Sequence, residues 1–250
     1  MKDEAKVIGR RWDHSANGYN DIIQREFTEA GEAWTQLLTE YAPATGKRAL
    51  DVGCGPGFLA LVLAMEGFDV TGIDCSGEMV IRARRNAEER GLSAEFRVMD
   101  SHELYYADGS FDYIVLRNAT WLLYDPEKAF AEWFRVLRPG GRLLYLDANW
   151  TYRDDPELTG KLDEAYERFE KENGKSFNTY SGPWELNDAA EKLSAFRHIL
   201  RPEWDMKTLP ALGYSPVRVI PRVNERIYPP WKQKLYDAMD EFLITADKPV

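Results

Sequence analysis

Asp51, Gly53, Gly55, Gly57 and Asp74 have the types and spacing to cradle a small polar ligand. They belong to the run Arg48-Ala-Leu-Asp-Val-Gly-Cys-Gly-Pro-Gly-Phe-Leu-Ala-Leu61, which reads as a short buried strand, a tight turn and the apolar face of a helix. A strand that turns at once into a helix needs positive φ at the bend, and a ligand lying on it needs backbone without Cβ; Gly53, Gly55 and Gly57 can supply both. The helix start then offers free N–H groups. The dinucleotide fingerprint G-x-G-x-x-G would place its third glycine at position 58, where this chain has Phe58. Asp51, two residues before the first glycine, suits a ligand with a cationic end and suits pyrophosphate poorly. Asp74 ends the next strand 21 residues after Gly53, close to the spacing of about 20 at which an acid meets ribose hydroxyls. Its other reading, a helix cap, is weaker because Ser76 is available as the cap.

The elements that must position these residues follow in order. Ile23, Phe27, Ala30, Trp34, Leu37 and Tyr41 recur at helical spacing and predict a helix from Asn20 to Tyr41, preceded by an aperiodic polar and aromatic stretch from Arg10 to Tyr19. Asp69–Asp74 and Ser93–Asp100 read as strands around a helix from Gly77 to Arg90, with Phe96 and Val98 inward. Phe111–Arg117 is a fourth strand, Asp125-Pro126 opens a helix to Leu137, and Arg142–Asp147 is a fifth strand. Two amphipathic helices then intervene, one opened by Asp155-Pro156 and closed at Asn173-Gly174, the other from Trp184 to His198, joined by the aromatic linker 177–184. A helix from Trp204 to Leu212 and strands at Pro216–Val223 and Glu241–Ala246 complete the chain.

Asp51-Val-Gly-Cys-Gly-Pro-Gly57 resembles the first motif of class I S-adenosylmethionine (SAM) dependent methyltransferases, close to the ubiquinone/menaquinone-type small-molecule group. Phe134-Arg-Val-Leu-Arg-Pro-Gly-Gly-Arg-Leu-Leu144 resembles another hallmark of that group, and the likeness covers about residues 10–150. It implies an α/β, Rossmann-like, doubly wound seven-stranded sheet, mostly parallel with an antiparallel last strand, and SAM as cofactor with S-adenosylhomocysteine (SAH) as product. The expected divisions are an N-terminal segment 1–46 covering the cofactor, a core 47–153, a helical insertion 154–201 that reads as a lid, with a dimerisation arm or surface decoration as the alternative, and a completing segment 202–250. By the same resemblance, Tyr19 lies near the sulfonium, Asp100 bonds the adenine amine and Met99 packs on its ring. Tyr19, Asp51, Gly53, Cys54, Gly55, Gly57, Asp74, Cys75, Met79, Met99, Asp100, Ser101, Arg117 and Asn118 form the expected cofactor site.

Acceptor chemistry is less marked. Asn118-Ala-Thr-Trp121 stands where enzymes that methylate exocyclic base amines carry Asn/Asp-Pro-Pro-aromatic. That difference and a net charge of −10 argue against nucleic acid and anionic membrane as partners. Strand-end positions point to Trp121, Tyr124, Asn149 and Tyr152 as the border of the acceptor pocket, and with Trp12 and Trp184 the aromatics there favour a small, partly apolar or planar acceptor. Asp147, His14 and Tyr19 are the candidate catalytic groups, with Asp13 as a further base. His102 is expected to serve loop structure. Two cysteines, Cys54 and Cys75, without CxxC or a His cluster indicate neither disulfide nor metal. With no apolar leader or spanning run, the expected protein is cytoplasmic, a monomer or homodimer. A non-catalytic SAM sensor or scaffold remains the alternative; a nicotinamide oxidoreductase is disfavoured by Phe58 and Asp51.

Overall fold

The computed structural model describes residues 1–152, 154–174, 183–236 and 241–250. Seven strands form one sheet: β1 (Arg48–Val52), β2 (Asp69–Asp74), β3 (Glu95–Val98), β4 (Phe111–Arg117), β5 (Leu137–Asp147), β6 (Val217–Pro221) and β7 (Phe242–Asp247). Their order is β3-β2-β1-β4-β5-β7-β6, with β7 antiparallel to both neighbours and the rest parallel. The parallel strands are apolar on both faces because helices cover both, which is why β1 and β4 read as continuous hydrophobic runs. β3 lies at an edge, so only Phe96 turns inward and Val98, expected inward, is half exposed.

Helix α1 (Asp3–Glu40) is a single helix of 38 residues, not one beginning at Asn20. The stretch Arg10–Tyr19 reads as aperiodic, and its Gly18 costs a helix interior about 1 kcal/mol. Ala5, Ile8, Trp12, Ala16, Tyr19 and Ile23 nonetheless continue the apolar stripe, and its burial overrides that cost. Gly9 lets α1 press on the end of β2: a Cβ there would stand 2.5 Å from the Cys75 carbonyl oxygen.

α2 (Phe58–Met65) and α3 (Gly77–Glu89) follow the first two strands. Ser76 caps α3 by accepting from Met79 N–H at 3.1 Å. α4 (Pro126–Val136) is capped by Asp125, which accepts from Lys128 N–H at 3.2 Å. It stops earlier than expected, because Leu137 to Gly141 already belong to β5.

α5 (Pro156–Asn173) ends at Gly174, as the Asn-Gly pair suggested. α6 (Trp184–Glu191) is shorter than expected and gives way to a 3₁₀ turn at Ala195–Arg197. The linker expected at 177–184 lies largely outside the described residues. α7 (Glu203–Ala211), α8 (Asn224–Ile227) and α9 (Pro230–Tyr236) complete the α-helices of the described residues. Among the described residues, no helix is long and apolar enough to cross a membrane.

Candidate active site

β1 and β4 are neighbours whose connections leave toward opposite sides of the sheet, so a crevice opens at their carboxyl ends. A cavity of about 790 Å³, counted out to its mouth, fills that crevice beneath the first turns of α1. Gly53 and Gly55 form its floor with φ of +67° and +51°. Asp74 braces them from the end of β2: its Oδ2 accepts from Gly55 N–H at 2.9 Å and its Oδ1 from Ser76 N–H at 2.8 Å. Each oxygen keeps acceptor capacity for a ligand hydroxyl. A recess of about 280 Å³ adjoins the cavity under the turn, with Asp51 and Arg117 on its walls.

Burial pushes Asp51 up to about 7, against the hydrogen bond it receives from Ala60 N–H at 2.9 Å. Burial likewise pushes Asp74 up to about 6. At the opposite end, the Asp100 carboxylate sits below the usual range: burial raises it, but hydrogen bonds from His102 and Tyr124 outweigh that. His102 Nδ1 lies 2.9 Å from Asp100 Oδ1, and the Tyr124 hydroxyl donates to Oδ2 at 2.8 Å. His102 Nε2 accepts from Asp125 N–H at 3.4 Å, which assigns the ring proton to Nδ1. The rings of His102 and Tyr124 stack with centroids 3.7 Å apart.

The structure brings most of the expected cofactor residues together. Tyr19, Gly53, Gly55, Asp74, Cys75, Met79, Met99, Asp100, Ser101, Arg117 and Asn118 line the main cavity, and Asp51 and Cys54 line the recess. Gly57 lines neither. Its φ of +89° starts α2, and a Cβ there would meet Ala83 and Phe96 at 3.2 Å, so it serves packing.

The expected catalytic groups divide differently. Tyr19 lines the cavity beside Trp12, ring centroids 5.4 Å apart. Asp147 does not stand at the mouth: it is fully buried and accepts from Thr120 N–H at 2.9 Å, Trp121 N–H at 3.1 Å, Ala148 N–H at 2.9 Å and the Thr120 hydroxyl. His14 is exposed on α1 and lines neither cavity nor recess. Asp13 caps α3, accepting from the Ser76 hydroxyl at 2.6 Å and Glu78 N–H at 3.1 Å.

Of the expected acceptor residues, Trp12 and Tyr124 line the cavity, Tyr124 at its Asp100 end. Trp121 donates from Nε1 to the Asn118 carbonyl and packs outside it. Asn149 exchanges two hydrogen bonds with the Arg201 backbone, at 2.9 and 3.0 Å. Tyr152 lies in the turn after β5, away from the cavity lining, and Trp184 is 69% exposed. Residues missed in the sequence include Ala5 and Ile8, which the α1 stripe could have revealed. His102, expected to serve loop structure, lines the cavity. Glu26, Lys232 and Glu241, buried near Arg117, carry no local signal.

A strand–glycine turn–helix floor, acids at the ends of β1, β2 and β3, and an antiparallel β7 define a class I SAM-dependent methyltransferase. Residues 50–145 match the methyltransferase domain family. Over 176 residues the chain is 34% identical to a phosphatidylethanolamine N-methyltransferase of Cereibacter sphaeroides, covering 70% of this chain and 80% of that one. It is 42% identical over 113 residues to a demethylmenaquinone methyltransferase of Thermus thermophilus, covering 44% of this chain and half of that one. Among solved structures it is similar to the [4+2]-cyclase SpnF, with a TM-score of 0.58 and 25% identity over 86% of this chain and 80% of that one. The chain belongs to the class I SAM-dependent methyltransferases.

Proposed function

We propose that this methyltransferase acts on a small, partly apolar acceptor whose nucleophile needs no general base at the mouth of the cavity. The observation that carries this reading is the burial of Asp147 within its own hydrogen bonds, which, with His14 exposed and Asp13 capping α3, withdraws the candidate bases from the reaction. Neutral amines, and aromatic carbons or oxygens made nucleophilic by an ionised phenol, meet that requirement. The names of the two relatives, one methylating an amine and one a quinone precursor, fall in these classes.

The residues present fit SAM. Asp51 and Arg117 offer one recess an acid and a base, matching the ammonium and carboxylate of an amino-acid end. Asp74 would accept from the ribose hydroxyls, and Met79, Met99 and Leu123 give an apolar slot leading to Asp100. The Trp12 and Tyr19 rings face the same cavity, where an aromatic face beside a cation is favourable by about 0.5–2 kcal/mol. When bound, SAM supplies an electrophilic methyl group for in-line displacement. The chain then has two tasks, to align the acceptor at about 3–3.5 Å and to keep water out. We assign the second task to α1, with segment 154–201 as a lid beside it.

A pH dependence follows. Below about pH 7 Asp51 holds a proton that an ammonium ligand must displace. SAH affinity should therefore fall as pH drops from about 7.5 to 5.5, by at most about tenfold per unit, with proton release on binding. Calorimetry at pH 6 in two buffers of different ionisation enthalpy reads that proton, and D51N should remove most of it. Affinity independent of pH in the unaltered protein would contradict the assignment of Asp51.

The acceptor reading is tested by transfer of an isotope-labelled methyl group from SAM into fractionated cell extract, followed by mass spectrometry. Label in a low-mass amine, phenol or quinol supports it. Label confined to macromolecules, or SAH binding without transfer, argues against it, and the second result would favour a non-methylating use of the cofactor.

A further inference from the structure

Glu26 on α1 is almost fully buried, and two cations share its carboxylate. Arg117 Nη2 donates to Oε2 at 2.8 Å and Lys232 Nζ to Oε1 at 2.7 Å. The Lys232 ammonium lies 3.9 Å from the centroid of the Tyr228 ring, and the Arg117 guanidinium lies 4.7 and 5.1 Å from those of Phe58 and Trp34. Removing such ions from water costs several kcal/mol each, and apolar residues of similar volume often serve stability as well or better.

The charges have a direction that packing does not require. Burial raises Glu26, but Arg117 and Lys232 outweigh it and hold the carboxyl at about 2, so it is ionised at neutral pH. Glu26 alone would neutralise Arg117. Burial lowers Lys232, while the Glu26 carboxylate 2.7 Å away raises it again; in its protonated form it brings the three groups to one positive charge. Glu241 lies nearby, and burial raises it, which favours its uncharged form. Arg117 Nη1 is buried without a hydrogen-bond partner among the described residues, and Arg117 lines both cavity and recess. The cluster thus leaves the N–H groups of a cationic Nη1 to the site.

Resting on the methyltransferase reading above, we infer that Glu26 and Lys232 are positioning residues for Arg117. Glu26 fixes the guanidinium plane, and Lys232 keeps its charge available to the carboxylate of the cofactor's amino-acid end. Helix α9, remote in sequence from the glycine turn, thereby sets how strongly the protein prefers a ligand bearing that carboxylate.

Calorimetry with SAH, decarboxylated SAH and 5′-methylthioadenosine, which lacks the amino-acid end, tests this. A hydrogen bond to a charged group is worth about tenfold or more in affinity, so the unaltered protein should prefer SAH to its decarboxylated form by at least that factor. R117M should abolish the preference. K232M and K232Q should weaken SAH about tenfold while leaving 5′-methylthioadenosine within about twofold, and K232R should restore SAH binding. Two results would overturn the inference: K232M and K232Q binding SAH as the parent does, or losing all three ligands equally, the mark of a purely structural role. If the unaltered protein bound neither SAH nor 5′-methylthioadenosine, the methyltransferase reading itself would fail.

Discussion

Arg201→Met should lower the melting temperature by about 6–20 °C, from a destabilisation of about 3–5 kcal/mol and about 2–4 °C per kcal/mol for a chain of this size. Arg201 is 2% exposed and its guanidinium donates to Asp205 through Nε at 2.9 Å and Nη2 at 2.7 Å, and to the Thr120 hydroxyl at 2.6 Å. Asp147 Oδ2 lies 3.7 Å from its Nη1. Methionine fills the space but leaves two fully buried carboxyls without their cation. The same residue ties the end of segment 154–201 to the core, since its backbone holds Asn149. Scanning calorimetry reads the effect, and adding D205N should recover part of it by removing the stranded charge. A fall of less than about 3 °C would show that the ion pair carries little net stability. SAH affinity of the folded variant should remain near that of the parent, because Arg201 lines neither cavity nor recess.

Asp74→Ala should weaken SAH by about 100-fold or more. Hydrogen bonds to a charged group contribute about 1.5–3 kcal/mol each, and the carboxylate has capacity for two ribose hydroxyls beyond the N–H groups of Gly55 and Ser76. D74N keeps one oxygen of similar shape and should lose about tenfold. The comparison separates the two roles of the side chain. If both variants bound SAH like the parent, the ribose would not lie at the end of β2. If D74N matched D74A while both melted far below the parent, bracing of the glycine turn would be the dominant contribution.

The core was legible where one local rule decided the outcome. β1, the glycine turn and α2 follow from a continuous apolar run broken by glycines at positive φ. Ser76 and Asp125 announced their helices as caps, and both accept the expected backbone hydrogen bond. Since glycine-turn backbone and strand-end acids occur within short sequence distances, most of the residues that line the cavity and recess could be read without a fold.

Legibility failed where tertiary packing overrode local preference or joined distant segments. Arg10–Tyr19 reads as aperiodic and polar, but Ala5, Ile8 and Trp12 gain burial over the cavity and carry α1 through it. Asp147 has the residue type and strand-end position of a base, and only the fold shows its oxygens spent on Thr120, Trp121 and Ala148. Trp121 and Trp184 were read as pocket aromatics because a tryptophan's type does not say which way it faces. The Glu26–Arg117–Lys232 cluster draws on α1, β4 and α9, so no window of sequence contains it.

A crystal structure of the protein with SAH tests the central claim most directly. The account predicts density in the cavity beneath α1, with ribose hydroxyls on Asp74, the adenine between Met99 and the Asp100 end, and the amino-acid end in the recess between Asp51 and Arg117. SAH bound elsewhere, or in this cavity with its carboxylate away from Arg117, would contradict it.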